Sequence, residues 1–269
     1  MGCFTILGGR LAPQINLAIR GKLAISTEQV MQQMERNTGL GLPDYREFRA
    51  GASALGVIGG GPSITLASVK QKIMGFEGDL WAINGAYGWC RKTLGIDPVF
   101  ISADPHPEVA DWARGAKRAL IESRAAKETV EALRDSETYI FDAGTAPGQI
   151  ACGSSTVTAI PHIAVRVGYK SVTLFGCDSC FSPSVGTHAY HNERRGQLLL
   201  VEADGQQFIT GLDFYQQAIE LSGYIREVPA YIKEESGGLL RAMVKDQAHR
   251  ILWLSEEVAK NLPVAEVLC

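Results

Sequence analysis

From about residue 51 onward, short apolar runs alternate with stretches whose apolar residues recur at helical spacing. Apolar runs at 54–58, 80–83, 98–102, 138–141 and 172–175 predict strands. A further run at 119–122 reads either as a strand that splits 107–135 into two helices or as part of one long charged helix. Between Ser154 and Gly168, residues Ile160, Ile163, Ala164 and Val167 fall at i, i+3, i+4 and i+7, which predicts a helix with one apolar face. Ser154 or Ser155 can cap it, Gly168 can end it, and Pro161 inside it predicts a kink. Beyond Phe208 the pattern predicts a short strand, a helix at 212–222, a strand at 224–228 and a C-terminal helix at 246–261. Before residue 51 the patterning is weaker. There Thr27 caps a helix through Asn37, which the Gly39-Leu-Gly-Leu-Pro43 run ends.

Alternation of this kind predicts an α/β fold, a Rossmann-like, mostly parallel sheet flanked by helices. We divide the chain into an N-terminal extension (1–50), a nucleotide-binding core (51–205) and a strand-and-helix completion of the same domain (206–269). Composition adds limits. The chain has 269 residues, 46% of them hydrophobic and 20% charged, which excludes a disordered chain and is ample for a buried core. A net charge of −3 gives no reason to expect nucleic acid or an anionic membrane as partner. Twenty-nine glycines predict many tight loops. No apolar run reaches the ~18 to 20 residues of a membrane span, and residues 1–20 lack a signal-peptide layout. The six cysteines (3, 90, 152, 177, 180, 269) are scattered, so the expectation is a cytoplasmic protein with free thiols, open to homo-oligomer formation.

The strongest local feature is Gly59-Gly60-Gly61-Pro62-Ser63, directly after the first strand. A strand, a glycine loop and a helix start together aim N–H groups at an anion, typically phosphate. The same residues would also build a tight turn that holds no ligand. The loop lacks the Gly-Lys-Ser/Thr of a Walker loop and the spaced glycines of dinucleotide binders. Asn84, followed by Gly85 and Ala86, ends the next strand, where it can read a base or ribose or simply cap a helix. Asp104, Asp142 and Asp178 each follow an apolar strand, on the side of the sheet where ligands bind. Their oxygens suit Mg²⁺ carrying a nucleotide's phosphates, and capping is the alternative. After Asp178 comes a Gly/Ser/Pro-bearing stretch with His188, Tyr190 and His191, candidates for a general base and phosphate ligands, or plain surface residues. Arg194 and Arg195 could add phosphate contacts. Cys177-x-x-Cys180, with no second pair, is a weak metal or redox signal. His106 reads as a helix-start residue, His162 as packed, and His249 as surface on the last helix.

Gly59 to Ser63, Asn84-Gly-Ala, Asp104, Gly153-Ser-Ser-Thr156 and the run from Gly168 to Gly176-Cys-Asp178 together resemble the 6-hydroxymethylpterin diphosphokinase (MptE-like) family. Ile64 stands where that family usually has Leu. The same ordered set is similar to bacterial sialyltransferases that use CMP-sialic acid, with Val167-Gly-Tyr-Lys170 and Gly176-Cys-Asp178 matching well. The tyrosines expected after that Asp are represented by Phe181 and Tyr190, and the catalytic histidine of those enzymes lies farther downstream.

The first resemblance implies transfer of pyrophosphate from Mg²⁺-bound ATP, or from another nucleotide, to a small hydroxyl-bearing acceptor. Gly59, Gly60, Gly61, Pro62 and Ser63 would then hold phosphates and Asn84 the nucleoside. Gly85, Ser154, Ser155 and Tyr190 would complete the nucleotide contacts. Asp104 and Asp178 would hold Mg²⁺, and Asp178, His188 and His191 would serve catalysis. The second resemblance implies a glycosyltransferase with a nucleotide-sugar donor. A nucleotide-binding module without catalysis is a third reading.

Overall fold

A computed structural model describes residues 25–144, 146–182, 188–190 and 198–254. The elements in chain order are α1 (Thr27–Thr38), β1 (Ala54–Ile58), α2 (Ala67–Met74), β2 (Asp79–Ile83), α3 (Gly85–Trp89), β3 (Val99–Ser102) and α4 (Val109–Ala113). Next come β4 (Arg118–Glu122), α5 (Lys127–Ala132), β5 (Glu137–Phe141), α6 (Thr156–Val167) and β6 (Ser171–Phe175). The remaining elements are β7 (Leu198–Ala203), β8 (Gln206–Gly211), α7 (Leu212–Glu227), β9 (Ile232–Glu234), α8 (Gly238–Lys245) and β10 (His249–Leu254).

Seven strands form one parallel sheet in the order β5-β4-β3-β2-β1-β6-β9. The chain lays β1 to β5 successively to one side and then returns to place β6 on the other side of β1. That reversal opens a crevice beyond the carboxyl ends of β1, β2 and β6, where α/β sheets bind ligands. Strand alternation fills both faces. Leu55, Val57, Trp81, Ile101 and Leu120 pack with Tyr45, Phe48 and α6, while Ile58, Ala82, Phe100, Ile121 and Phe175 pack with α2, α3 and α4. The α/β architecture is as expected, and residues 118–122 form a strand between two short helices rather than one long helix.

Four local expectations change. The N-cap of α1 is Ser26, not Thr27, because the Ser26 hydroxyl takes the Gln29 N–H and the Gln29 side chain takes the Ser26 N–H. Residues 224–227 are the last turn of α7, not a strand, since Ala218, Leu221, Ser222 and Ile225 keep burial at helical spacing to the end. His249 to Leu254 form β10, not helix, because they pair antiparallel with β7. The rest of the predicted 246–261 helix lies outside the described residues. A hairpin of β7 and β8, not foreseen, turns on Asp204-Gly205 with φ of 50° and 70°, the positive pair that Asp-Gly supplies at low cost. α6 runs through Pro161 as a single helix and ends, as expected, on Gly168 at φ 100°.

Residues before β1 are tied to the sheet. Asn37 is buried and its amide donates to the Ser123 and Ala125 carbonyls, both at 2.8 Å. Asn37→Leu removes both bonds, leaving the Ser123 carbonyl without this partner and the Ala125 carbonyl with Arg36 Nη2 at 3.0 Å. We expect a loss of about 2 kcal/mol in urea denaturation, from the usual cost of stranding a buried acceptor. A change below a few tenths would mean water replaces the amide.

Candidate functional site

β1 ends at Ile58, and the glycine loop then runs against the start of the loop after β6. The Gly59 N–H donates to the Phe175 carbonyl and the Gly61 N–H to that of Gly176, each at 2.7 Å. The Ser63 N–H donates to Asp178 Oδ2 at 2.7 Å. These three donors, expected to face an anion, are thus taken within the protein. The approach is close enough to require glycine: a Cβ on Gly59 would lie 2.5 Å from the Gly176 oxygen, and one on Gly61 2.5 Å from Asp178 Oδ2.

Asp178 is fully buried, and its second oxygen, Oδ1, has no hydrogen-bond partner. Burial pushes its carboxyl up to about 6, although hydrogen bonds from Ser63 oppose the rise. Glu234 adds to the rise and Arg241 opposes it. The main chain around Asp178 is pinned from three elements. Leu240 of α8 donates to the Asp178 carbonyl at 3.1 Å, and the Cys177 N–H donates to Ser236 Oγ at 2.8 Å. Thr210 Oγ1 donates to the Ser179 carbonyl and Gln217 Nε2 to Ser179 Oγ, both at 2.8 Å. Those bonds hold Ser179 at φ 56°, unusual for a residue with a side chain.

Asn84 is held at φ 49°, and its side chain does not cap α3. Its Oδ1 is buried without a partner. The capping alternative therefore fails, and a strained residue holds a buried, unsatisfied acceptor beside the crevice. His188 and Tyr190 stack with centroids 5.4 Å apart, and His188 also meets Phe214 edge-on at 5.5 Å. A cavity of about 160 Å³ is lined by Gly59, Gly60, Gly61, Asn84, Ser155, Thr156, Asp178, His188 and Tyr190, with Phe214 and Gln217 closing it.

Several candidates fall elsewhere. Pro62 and Ser63 are buried behind the loop, and Gly85 borders Tyr190 rather than the cavity. Ser154 Oγ and its N–H both donate to Glu220 at 2.9 Å. Asp104 pairs with His106 Nδ1 at 2.5 Å and does not line the cavity, and neither does Asp142. His191, Arg194 and Arg195 lie outside the described residues. Of the two carboxylates expected to hold Mg²⁺, Asp178 lines the cavity and Asp104 does not, and among the described residues no three His, Cys, Asp or Glu side chains gather as a group. His162 is half-buried against Tyr224, and burial lowers its pKa. His249 sits on β10, not on a helix, and its Nε2 lies 2.6 Å from the Tyr215 hydroxyl.

Phe214 and Gln217 were not anticipated. A faint signal exists: Gln217 is a polar residue on the α7 face that also carries Phe214, Ala218 and Leu221.

No protein-family model and no curated protein matches the chain. Among solved structures, it is similar to MAf glycosyltransferase from Magnetospirillum magneticum AMB-1, at 15% identity and a TM-score of 0.54. That match covers 89% of this chain and 42% of the glycosyltransferase, so the chain spans less than half of its length. A protein from Lactobacillus plantarum matches at 14% identity over 68% of this chain and 61% of its own, with a TM-score of 0.32. Among the described residues no helix is long and apolar enough to cross a membrane. The chain thus has a Rossmann-like α/β fold of the kind seen in MAf glycosyltransferase.

Proposed function

We propose that this protein is a transferase of the glycosyltransferase type, moving a sugar from a nucleotide-linked donor to a small hydroxyl-bearing acceptor. The observation that carries the reading is the pair of buried, unpartnered acceptors, Asn84 Oδ1 and Asp178 Oδ1, at the crevice where the strand order reverses. An unpaired buried acceptor costs stability, and a substrate that donates to it recovers that cost. Asn84 Oδ1 suits a ribose hydroxyl or a base amino group. Asp178 Oδ1 suits the acceptor hydroxyl, and a carboxyl titrating near 6 is ionised at neutral pH yet still basic enough to take up that proton. The fold shared with a glycosyltransferase supports this reading over pyrophosphate transfer.

A thermal-shift and calorimetry panel tests it, with CMP, UDP, a CMP-linked and a UDP-linked sugar, and ATP, each with and without Mg²⁺. Binding of a nucleotide or nucleotide sugar without a metal requirement is the expected result, and it raises the midpoint with concentration. Strictly Mg²⁺-dependent ATP binding would return the assignment to pyrophosphate transfer. No response across the panel would remove the nucleotide from the reading.

A further inference from the structure

Tyr190 lies where the two glycine loops converge. Its phenol end passes between Gly60 and Gly85. A Cβ on Gly60 would sit 2.7 Å from Cε1 and 2.8 Å from Cζ of the ring. One on Gly85 would sit 2.7 Å from Cζ and 2.9 Å from Cδ2. Any side chain at either position would collide with the ring, so the two glycines shape a gap that a planar group fills from edge to edge. The Ala189 N–H fastens the neighbouring main chain to the Gly60 carbonyl at 2.9 Å. His188 covers one face of the ring. What remains open beside it, about 160 Å³, is below the ~300 to 1,000 Å³ typical of small-molecule sites.

We propose that Tyr190 is a built-in occupant of the ligand pocket: the nucleotide part of the donor enters the gap between Gly60 and Gly85 only when Tyr190 leaves it. The inference rests on the nucleotide-sugar reading above and adds to it a competition within the chain. The geometry supports it in two ways. The gap is already shaped as a planar nucleotide group needs, a slot free of side chains between Gly60 and Gly85. The ring also buries its own surface there, so the closed form is favoured while no nucleotide is present. Apparent affinity is then the intrinsic affinity multiplied by the fraction of molecules with the gap open. Removing the ring raises that fraction to one. A tyrosine that served as a wall or contact for the nucleotide would behave in the opposite way, since its removal would weaken binding.

The test is calorimetric titration of CMP and UDP into the full chain, as wild type, Tyr190→Ala and Tyr190→Phe. We expect Tyr190→Ala to lower the Kd about tenfold or more, as for a binding-competent state populated at about 10% or less. Tyr190→Phe keeps the ring and should stay within a few-fold of wild type. Ligand-free amide NMR gives an independent reading: the Gly60 and Gly85 amides, which flank the ring, should shift in Tyr190→Ala and stay near wild type in Tyr190→Phe. Weaker or unchanged binding by Tyr190→Ala would overturn the proposal. No binding by any of the three proteins would overturn the nucleotide reading and this inference with it.

Discussion

Asp178→Asn should give a chain that is more stable than wild type at pH 7.5 and has lost turnover. The Asp178 carboxyl titrates at about 6 in the folded protein against 3.8 for the free side chain. The folded state therefore holds this proton more tightly than the unfolded state. Between about pH 4 and pH 6 the folded chain binds more protons than the unfolded one, so wild-type stability falls as pH rises through that window and stays lower above it. Two units at ~1.4 kcal/mol each put the cost of the buried charge at about 3 kcal/mol. Asn keeps an oxygen for the Ser63 N–H, but it places an NH₂ group where Oδ1 now has no partner, which returns about 1 kcal/mol. The net gain is about 2 kcal/mol, a rise in midpoint of ~4 to 8 °C for a chain of this size. Urea denaturation at pH 7.5 and pH 4.5 checks this. The advantage should be present at the first and absent at the second, where the wild-type carboxyl is protonated. An equal gap at both pH values would show that charge burial is not its source. On the proposed function, transfer from the nucleotide sugar falls ~10²-fold or more with loss of the base, while nucleotide binding persists.

Much of this site was legible because its residues lie beside strand ends. The runs that predict β1, β2, β3, β5 and β6 are short, apolar and bounded by Gly, Pro or Asp, so Gly59 to Gly61, Asn84 and Asp178 fell into place with them. The partners of those residues were not legible. That the Ser63 N–H is taken by Asp178 follows from an approach of two loops 115 positions apart, which no local pattern encodes. Phe214 and Gln217 reach the cavity because α7 packs beside α6, α8 and β9. The β7–β8 hairpin escaped for a different reason. Leu198 to Val201 are all buried, so the strand shows no alternation. One face meets Tyr215, Ala218 and Met243, and the other meets Phe181 and Ile209. The Asp204-Gly205 turn was the available sign. The helix expected at 246–261 gives way to a strand over His249 to Leu254 because apolar residues in an edge strand can mimic helical spacing over a few positions, and only pairing with β7 distinguishes the two.

Gly176→Ala should be among the most damaging single-methyl additions in the chain, and Gly168→Ala, with the same backbone handedness, should be mild. Gly168 ends α6 at φ 100°, and a Cβ there meets nothing within 4 Å. Its substitution carries the backbone term alone, ~1 to 2 kcal/mol for a residue with a side chain at positive φ. Gly176, at φ 64°, adds contact to that term. Its Cβ would collide with Ile64 Cγ2 and lie 2.7 Å from the Gly59 carbonyl oxygen. Neither neighbour can yield cheaply. Ile64 is fully buried among the residues under α2. Gly59 is fixed by its own N–H bond to Phe175, and Gly61 by its bond to the Gly176 carbonyl, both at 2.7 Å. Relief requires the two loops to separate, which breaks those bonds and releases the Ser63 N–H from Asp178. We expect Gly176→Ala to cost about 3 kcal/mol or more in urea denaturation. Tolerance of Gly176→Ala at the Gly168→Ala level would mean that the loops slide past each other, and that the engaged amides of the glycine loop are more readily freed for an anion than their bonds imply.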